Sequence, residues 1–169
     1  MNFRNSIIAA VSWLLAGWAI AQEDPGRTQI ARVNVKVYHA TDGDPATSGA
    51  KAKAVPEETA ERLRKEVKLR FKNYRLLGQD TQPLLRSYES WAQPLKPSDE
   101  VMVRFEAQGR PSKDHVILDL ELWLSRKKTV KADARLEGDK PLIMLGPEWR
   151  GGRLIIAVAL AAEAKPASK

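Results

Sequence analysis

The chain has 169 residues and not one cysteine. Disulfides, iron–sulfur clusters, cysteine–zinc sites and a thiol nucleophile are excluded, so stability has to come from the core alone. Histidine is nearly as scarce, with only His39 and His115 available. Neither a G-x-S-x-G elbow nor an H-E-x-x-H zinc motif occurs. Gly151-Gly152 leads into an apolar, strand-like run rather than a helix, so no phosphate-binding loop is expected. His39, Asp42 and Asp44 lie close together but lack the further acidic positions and terminal glutamate of an EF-hand. No metal and no other cofactor is expected. A net charge of +7 invites nucleic acid, yet no RNA-recognition signature, helix-turn-helix pattern or aromatic stacking platform accompanies it, and no nucleic-acid partner is expected. Internal repeats and low-complexity blocks are also missing, and the length suits one ordinary domain.

Long apolar runs are lacking too. The nearest is Ile7 to Ile20, behind Arg4 and running into Ala19-Ile20-Ala21. At about 15 residues it falls short of the roughly 20 that a spanning helix needs, and no basic stop-transfer cluster follows. It reads as a cleavable signal peptide, residues 1–21, with Gln22 as the first mature residue. No cysteine stands at the cleavage site, which excludes a lipoprotein anchor. The expected location is the periplasm or the cell exterior, with membrane contact only through the leader before cleavage. Residues 22–29 read as a flexible lead-in, 30–160 as the folded domain and 161–169 as a disordered tail.

What is present is strand alternation. Val33, Val35 and Val37 mark a half-buried strand over Ala31 to Tyr38. His39 to Ala54, with glycine, proline and no large apolar group, reads as a long disordered loop. Pro56 then opens one amphipathic helix. Its apolar stripe is Ala60, Leu63, Val67, Phe71 and Tyr74, and Arg70, Lys72 and Arg75 fall at its C-terminal end. Gly78 ends the helical region, and Leu84 to Trp91 reads as an edge strand.

Val101 to Leu136 reads as a three-stranded antiparallel meander with one apolar face. Val101, Val103, Phe105 and Ala107 face the core, then Val116 to Leu124 at alternate positions, then Val130, Ala132, Ala134 and Leu136. The small residues of the third strand leave room for Phe71 or Trp91, and the helix is expected to close this face. Pairing Ala107 with Val116 would put Arg104 opposite Asp119, a favourable cross-strand pair. Leu142 to Leu145 and Leu154 to Leu160 form a hairpin with a long turn, and the second run lacks polar alternation, so it belongs inside a sheet. The predicted fold is a single α+β domain, a mostly antiparallel sheet of about 6–7 strands with one amphipathic helix packed on it.

Three surfaces are candidate sites. Glu148, Trp149 and Arg150 form either a recognition loop or a turn in which Trp149 caps the core. Met102, Ile117 and Trp123 give the outer meander face more apolar character than a solvated face needs. Arg64, Lys68, Lys72 and Arg75, with Lys65 beside them, make a basic helical ridge suited to lipid headgroups, acidic polysaccharide or an acidic protein. Asp119 and Glu121 share a sheet face about 7 Å apart, close to the spacing of an inverting glycosidase pair, but a flat face offers no cleft. Ser112, Asp114 and His115 are contiguous, which rarely makes a triad. The pattern points to an exported, non-enzymatic envelope module that binds another envelope protein or an anionic surface. The alternatives are a structural subunit that lends an edge strand to an assembly, and a small hydrolase using Asp119 and Glu121 or His115.

Overall fold

Gln29–Thr41 forms strand β1, with Val33, Val35 and Val37 fully buried on its inner side. It is the spine of a sheet whose other members are β2 (Lys53–Ala54), β3 (Asn73–Leu85), β8 (Leu142–Trp149) and β9 (Gly152–Leu160), in the order β2-β3-β1-β9-β8. A second sheet contains β4 (Ser90–Ala92), β5 (Val101–Gln108), β6 (His115–Leu124) and β7 (Lys127–Glu137), in that order. Every pairing is antiparallel. This computed structural model describes residues 23–109, 115–138 and 140–161. The expected leader, nearly all of the expected tail, Ser112 and Asp114 lie outside them.

The two sheets pack face to face. Val33, Val35, Val37, Leu84, Leu154, Ile156 and Val158 of the first meet Val101, Val103, Phe105, Leu118, Leu120, Leu122 and Leu136 of the second in one core. Among the described residues the protein is thus mostly antiparallel sheet with one α-helix, but with nine strands in two sheets, not 6–7 in one. The strand that escaped sequence reading in particular is β3. Its inner positions are Gly78, Asp80, Gln82 and Leu84; Leu84 joins the core, but the segment after β4 covers Gly78 and Asp80 instead of a second apolar face. A Cβ on Gly78 would collide with the Pro94 carbonyl oxygen. The Asp80 carboxylate accepts from Gln93 N (2.8 Å) and from Lys96 Nζ (3.1 Å). Burial alone would raise the Asp80 pKa; those hydrogen bonds and the one from Gln82 outweigh it and hold the pKa below the usual range.

Helix α1 is Glu57–Lys65, much shorter than the periodicity implied. Only Ala60 and Leu63 of the expected stripe are buried on it. They lie against Tyr38, Ala40, Ile155 and Ala157 on the outer side of the first sheet, because the meander's apolar face is already occupied by that sheet's inner side. The chain leaves the helix at Glu66, makes a 3-10 turn at Val67–Leu69 that buries Leu69, and enters β3 with Tyr74. Tyr74 Oη donates to the Leu69 carbonyl (2.6 Å) and accepts from Phe71 N (3.0 Å). The spacing of Val67, Phe71 and Tyr74 is therefore coincidental.

Other departures have equally local causes. The expected loop His39 to Ala54 is ordered as the end of β1, a 3-10 turn Pro45–Ser48 and β2. The lead-in is tied down: Arg86 N donates to the Thr28 carbonyl, Ser87 N to that of Gly26, and Tyr88 Oη to Asp24 (2.6 Å). The expected strand Leu84 to Trp91 is two strands joined by a turn. Ala107 pairs with Leu118, which sets Arg104 opposite Glu121 rather than Asp119. A two-residue shift leaves every side chain on its face, so alternation could not choose between the registers. Val130 and Ala132 are exposed because β7 overhangs the first sheet, and only Ala134 and Leu136 of that strand enter the core. The β8–β9 hairpin closes in two residues, Arg150 (φ 46°) and Gly151 (φ 74°), and Gly146-Pro147 forms a bulge instead of a long turn. Strand β9 lies between β1 and β8 and is buried on both faces from Leu154 to Val158. Among the described residues, no helix is long and apolar enough to cross a membrane.

Candidate binding surface

The outer face of the second sheet carries a cross-strand row, Trp91–Arg104–Glu121–Lys131, through all four strands. Arg104, only 17% exposed in its side chain, is its hub. Its guanidinium pairs with Glu89 and with Glu106 (2.8 Å), and lies 3.6 Å from Asp119 and 3.9 Å from Glu121. Lys131 reaches Asp119 (3.0 Å) and Lys128 reaches Glu121 (3.2 Å). The neighbouring row sets Glu106, Asp119 and Asp133 directly across from one another, a repulsive arrangement that Arg104 and Lys131 offset. One Asp119 oxygen, Oδ1, is buried without a hydrogen-bond partner among the described residues.

Two indoles stand on this lattice. Trp91 Nε1 donates to Glu89 (3.0 Å) and Trp123 Nε1 to Glu121 (2.9 Å). The rings touch, with centroids 5.6 Å apart and planes at 59°. Trp91 therefore lies on the outer face and not in the space beside the third strand. The same E-x-W spacing occurs at Glu89–Trp91, where Glu89 immediately precedes β4, and at Glu121–Trp123 within β6; in extended chain residues i and i+2 share a face, so a carboxylate can hold the indole two residues on. That repeat was the legible signal for Trp91; which indole meets which required the strand order. Met102 and Trp123 are paired across strands and half-buried, whereas Ile117 is 39% exposed at the far end of the face.

The ionisation states follow. Hydrogen bonds from Trp91 and then Arg104 lower the Glu89 pKa. For Glu121, burial pushes upward, but hydrogen bonds from Trp123 and Lys128 prevail and keep the pKa below the ordinary value. Asp119 raises the Lys131 pKa, as Glu89 raises that of Arg104. The face is a charged lattice held by its own ion pairs and indole hydrogen bonds.

Trp149 sits elsewhere, at the end of the core. Its Nε1 donates to Glu100 (2.9 Å) and its carbonyl accepts from His39 Nε2 (3.0 Å). That bond fixes the tautomer, so His39 Nδ1 accepts from Ser48 Oγ (2.7 Å). The two rings meet edge-on at 5.1 Å, and the Arg150 guanidinium covers the indole at 4.4 Å. Glu148 and Arg150 are exposed beside it. His39 is fully buried, and burial lowers its pKa; the Trp149 carbonyl opposes that shift and Arg150 reinforces it.

The basic residues do not form one helical row. Arg64 and Lys65 are on α1, Lys68 is in the 3-10 turn, Lys72 in the link and Arg75 on β3. Folding nevertheless gathers Arg64, Lys65, Arg70 and Lys72 around an open concavity of about 650 Å³ with Asp42, Glu61 and Phe71. Arg64, Lys72 and Arg75 also line an adjoining hollow of about 210 Å³. His115 opens β6, well separated in sequence from both clusters. No family model matches the chain, and no curated protein or solved structure matches it either.

Proposed function

We propose that this protein is an exported, non-enzymatic binding module of the cell envelope that engages a partner protein through the outer face of its second sheet. The observation that carries the reading is the Trp91–Trp123 pair, held by Glu89 and Glu121 around Arg104 on the sheet face turned away from the core. Tryptophan and arginine are the side chains most often found as interface anchors. Their ion pairs and indole hydrogen bonds restrict rotamers beforehand, which reduces the ordering cost of association. The same lattice argues against hydrolysis by Asp119 and Glu121. Arg104, Lys128 and Lys131 already ion-pair with both carboxylates, which leaves neither free to act on a glycosidic bond.

A photo-crosslinking side chain at Ile117, which borders the face, tests the reading in an envelope fraction. One protein should be captured, and the Trp91→Ala/Trp123→Ala variant should lose it. The same probe at Lys51 should capture nothing comparable. Equal capture at both positions, or capture indifferent to the double variant, refutes the face as an interface. A second reading has its own observation: β7 is an 11-residue strand, exposed at most positions and, among the described residues, at the edge of its sheet beside β6. Such an edge is a template for strand addition by an assembly partner.

A further inference from the structure

We infer that the corner between α1 and β3 docks on an anionic phospholipid surface. Between Arg64 and Arg75 the chain has six cations, Arg64, Lys65, Lys68, Arg70, Lys72 and Arg75, and one carboxylate, Glu66. The 3-10 turn folds this stretch back, so that Arg64, Lys65, Arg70 and Lys72 share one open mouth. Among the described residues, Lys65, Lys68, Arg70, Lys72 and Arg75 have no ion-pair partner. Every cation of the outer sheet-two row, by contrast, is matched. Arg70 is positioned all the same, since its Nε donates to the Arg64 carbonyl (3.0 Å) and leaves the guanidinium tip facing outward to the mouth it lines.

The apolar feature is Val67. At 74% it is the most exposed large hydrophobic side chain among the described residues, and it opens the 3-10 turn between Glu66 and Lys68. One exposed valine is ordinary. An exposed valine in the same short stretch as the unmatched Lys65, Lys68, Arg70 and Lys72 is what an interface with headgroups and acyl chains would select. A small soluble anion would need donors converging on one point, and these cations are spread around an open rim. An acidic polymer would match the charge and leave Val67 without a role.

The placement is compatible with the face proposed above and independent of it. The corner lies on the α1 side of the first sheet, and the Trp91–Trp123 face is on the far side of the sandwich. It also lies where Thr41 pairs with Asn73, the opposite end of β1 from Gln29. Lipid contact would thus persist after the leader has gone, beyond the contact expected from the sequence.

The test is co-sedimentation of the form beginning at Gln22, which retains both sheets and the whole core, with vesicles. Vesicles of phosphatidylcholine with one-third phosphatidylglycerol should bind it and pure phosphatidylcholine should not. Binding should weaken as salt is raised. Removing charge at Lys65, Arg70 and Lys72 together (each to serine) should reduce affinity roughly 100-fold, at about fivefold per cation. Val67→Ser should reduce it severalfold with the charge unchanged. All four positions are exposed, so the melting temperature should stay constant. Equal binding to neutral vesicles overturns the proposal. So does binding indifferent to Val67→Ser, which would denote a charge-only surface for acidic polymers, or displacement by millimolar glycerol phosphate, which would denote a small-anion site. The Trp91→Ala/Trp123→Ala variant should bind vesicles normally, so failure of the sheet-two reading and failure of this one are separable.

Discussion

Replacing Leu120 by alanine, alongside the same replacement at Val130, tests where the core ends. Both side chains point to the inner side of the second sheet, on adjacent strands. Leu120 is fully buried between Phe105 and Ala132. Losing three carbons forfeits about 2.4 kcal/mol at roughly 0.8 per methylene. The facing sheet cannot collapse fully, so a residual cavity of roughly 50 Å³ adds about 1.2 kcal/mol. The expected cost is about 3.5 kcal/mol, within the range of roughly 2–5 seen for buried leucines. Val130 is 36% exposed on the overhang. Losing two partly wet carbons there costs about 1 kcal/mol at most, with no closed cavity. Urea unfolding followed by tryptophan fluorescence and circular dichroism gives both values from the midpoints at a common slope. A cost below about 1 kcal/mol for Leu120→Ala, or equal costs at the two sites, would refute the placement of the sandwich core.

Three further outcomes are expected. Gly78→Ala should destabilise by about 1–3 kcal/mol, because the new methyl meets the Pro94 backbone and one strand must shift; a neutral result in the same urea assay would dissolve the claim that this segment covers β3. His39 has a native pKa below its ordinary 6.5, so the native state binds fewer protons than the unfolded one between the two values. The stability it supports at neutral pH is fully present above 6.5 and is lost as pH falls from there toward the lowered value, by up to about 1.4 kcal/mol per pH unit. A His39→Gln variant should show a flatter profile between pH 5 and pH 7 in parallel denaturation curves, on the order of that slope; superimposable slopes would contradict the buried neutral histidine. The β6–β7 turn places two non-glycine residues, Ser125 (φ 46°) and Arg126 (φ 65°), in the left-handed region. Ser125→Asn with Arg126→Gly should raise stability by about 1 kcal/mol, less whatever the exposed Arg126–Asp99 pair contributes; a lower urea midpoint would count against the strain.

The Arg104 lattice and the α1–β3 corner use similar residue types to opposite ends. In the lattice, strand pairing brings each cation to a carboxylate, and the indoles are held by the same carboxylates. At the corner, six cations stand against Glu66 between Arg64 and Arg75, and among the described residues five of them have no ion-pair partner. A matched, rigid face suits a specific partner, and an unmatched one suits a diffuse anionic surface.

By itself the sequence determined those features whose physics is local to a strand. The inner faces of β1, β5 and β6 follow from period-two alternation, because successive side chains leave a strand on opposite sides. The double burial of β9 follows from Leu154 to Leu160 having no polar position. The lack of cysteine determined that no covalent staple contributes. Only the tertiary structure decided the rest. Strand β3 is hidden in the sequence because a polar backbone segment, not an apolar sheet, covers Gly78 and Asp80 on its inner side. Helix α1 stops early because Leu69, not Val67, finds a buried place. The second sheet's register escapes alternation because a two-residue slip preserves both faces. The Trp91–Trp123 contact joins residues on β4 and β6 that only the intervening β5 brings together, and contacts across strands depend on pairing order, which no local spacing encodes.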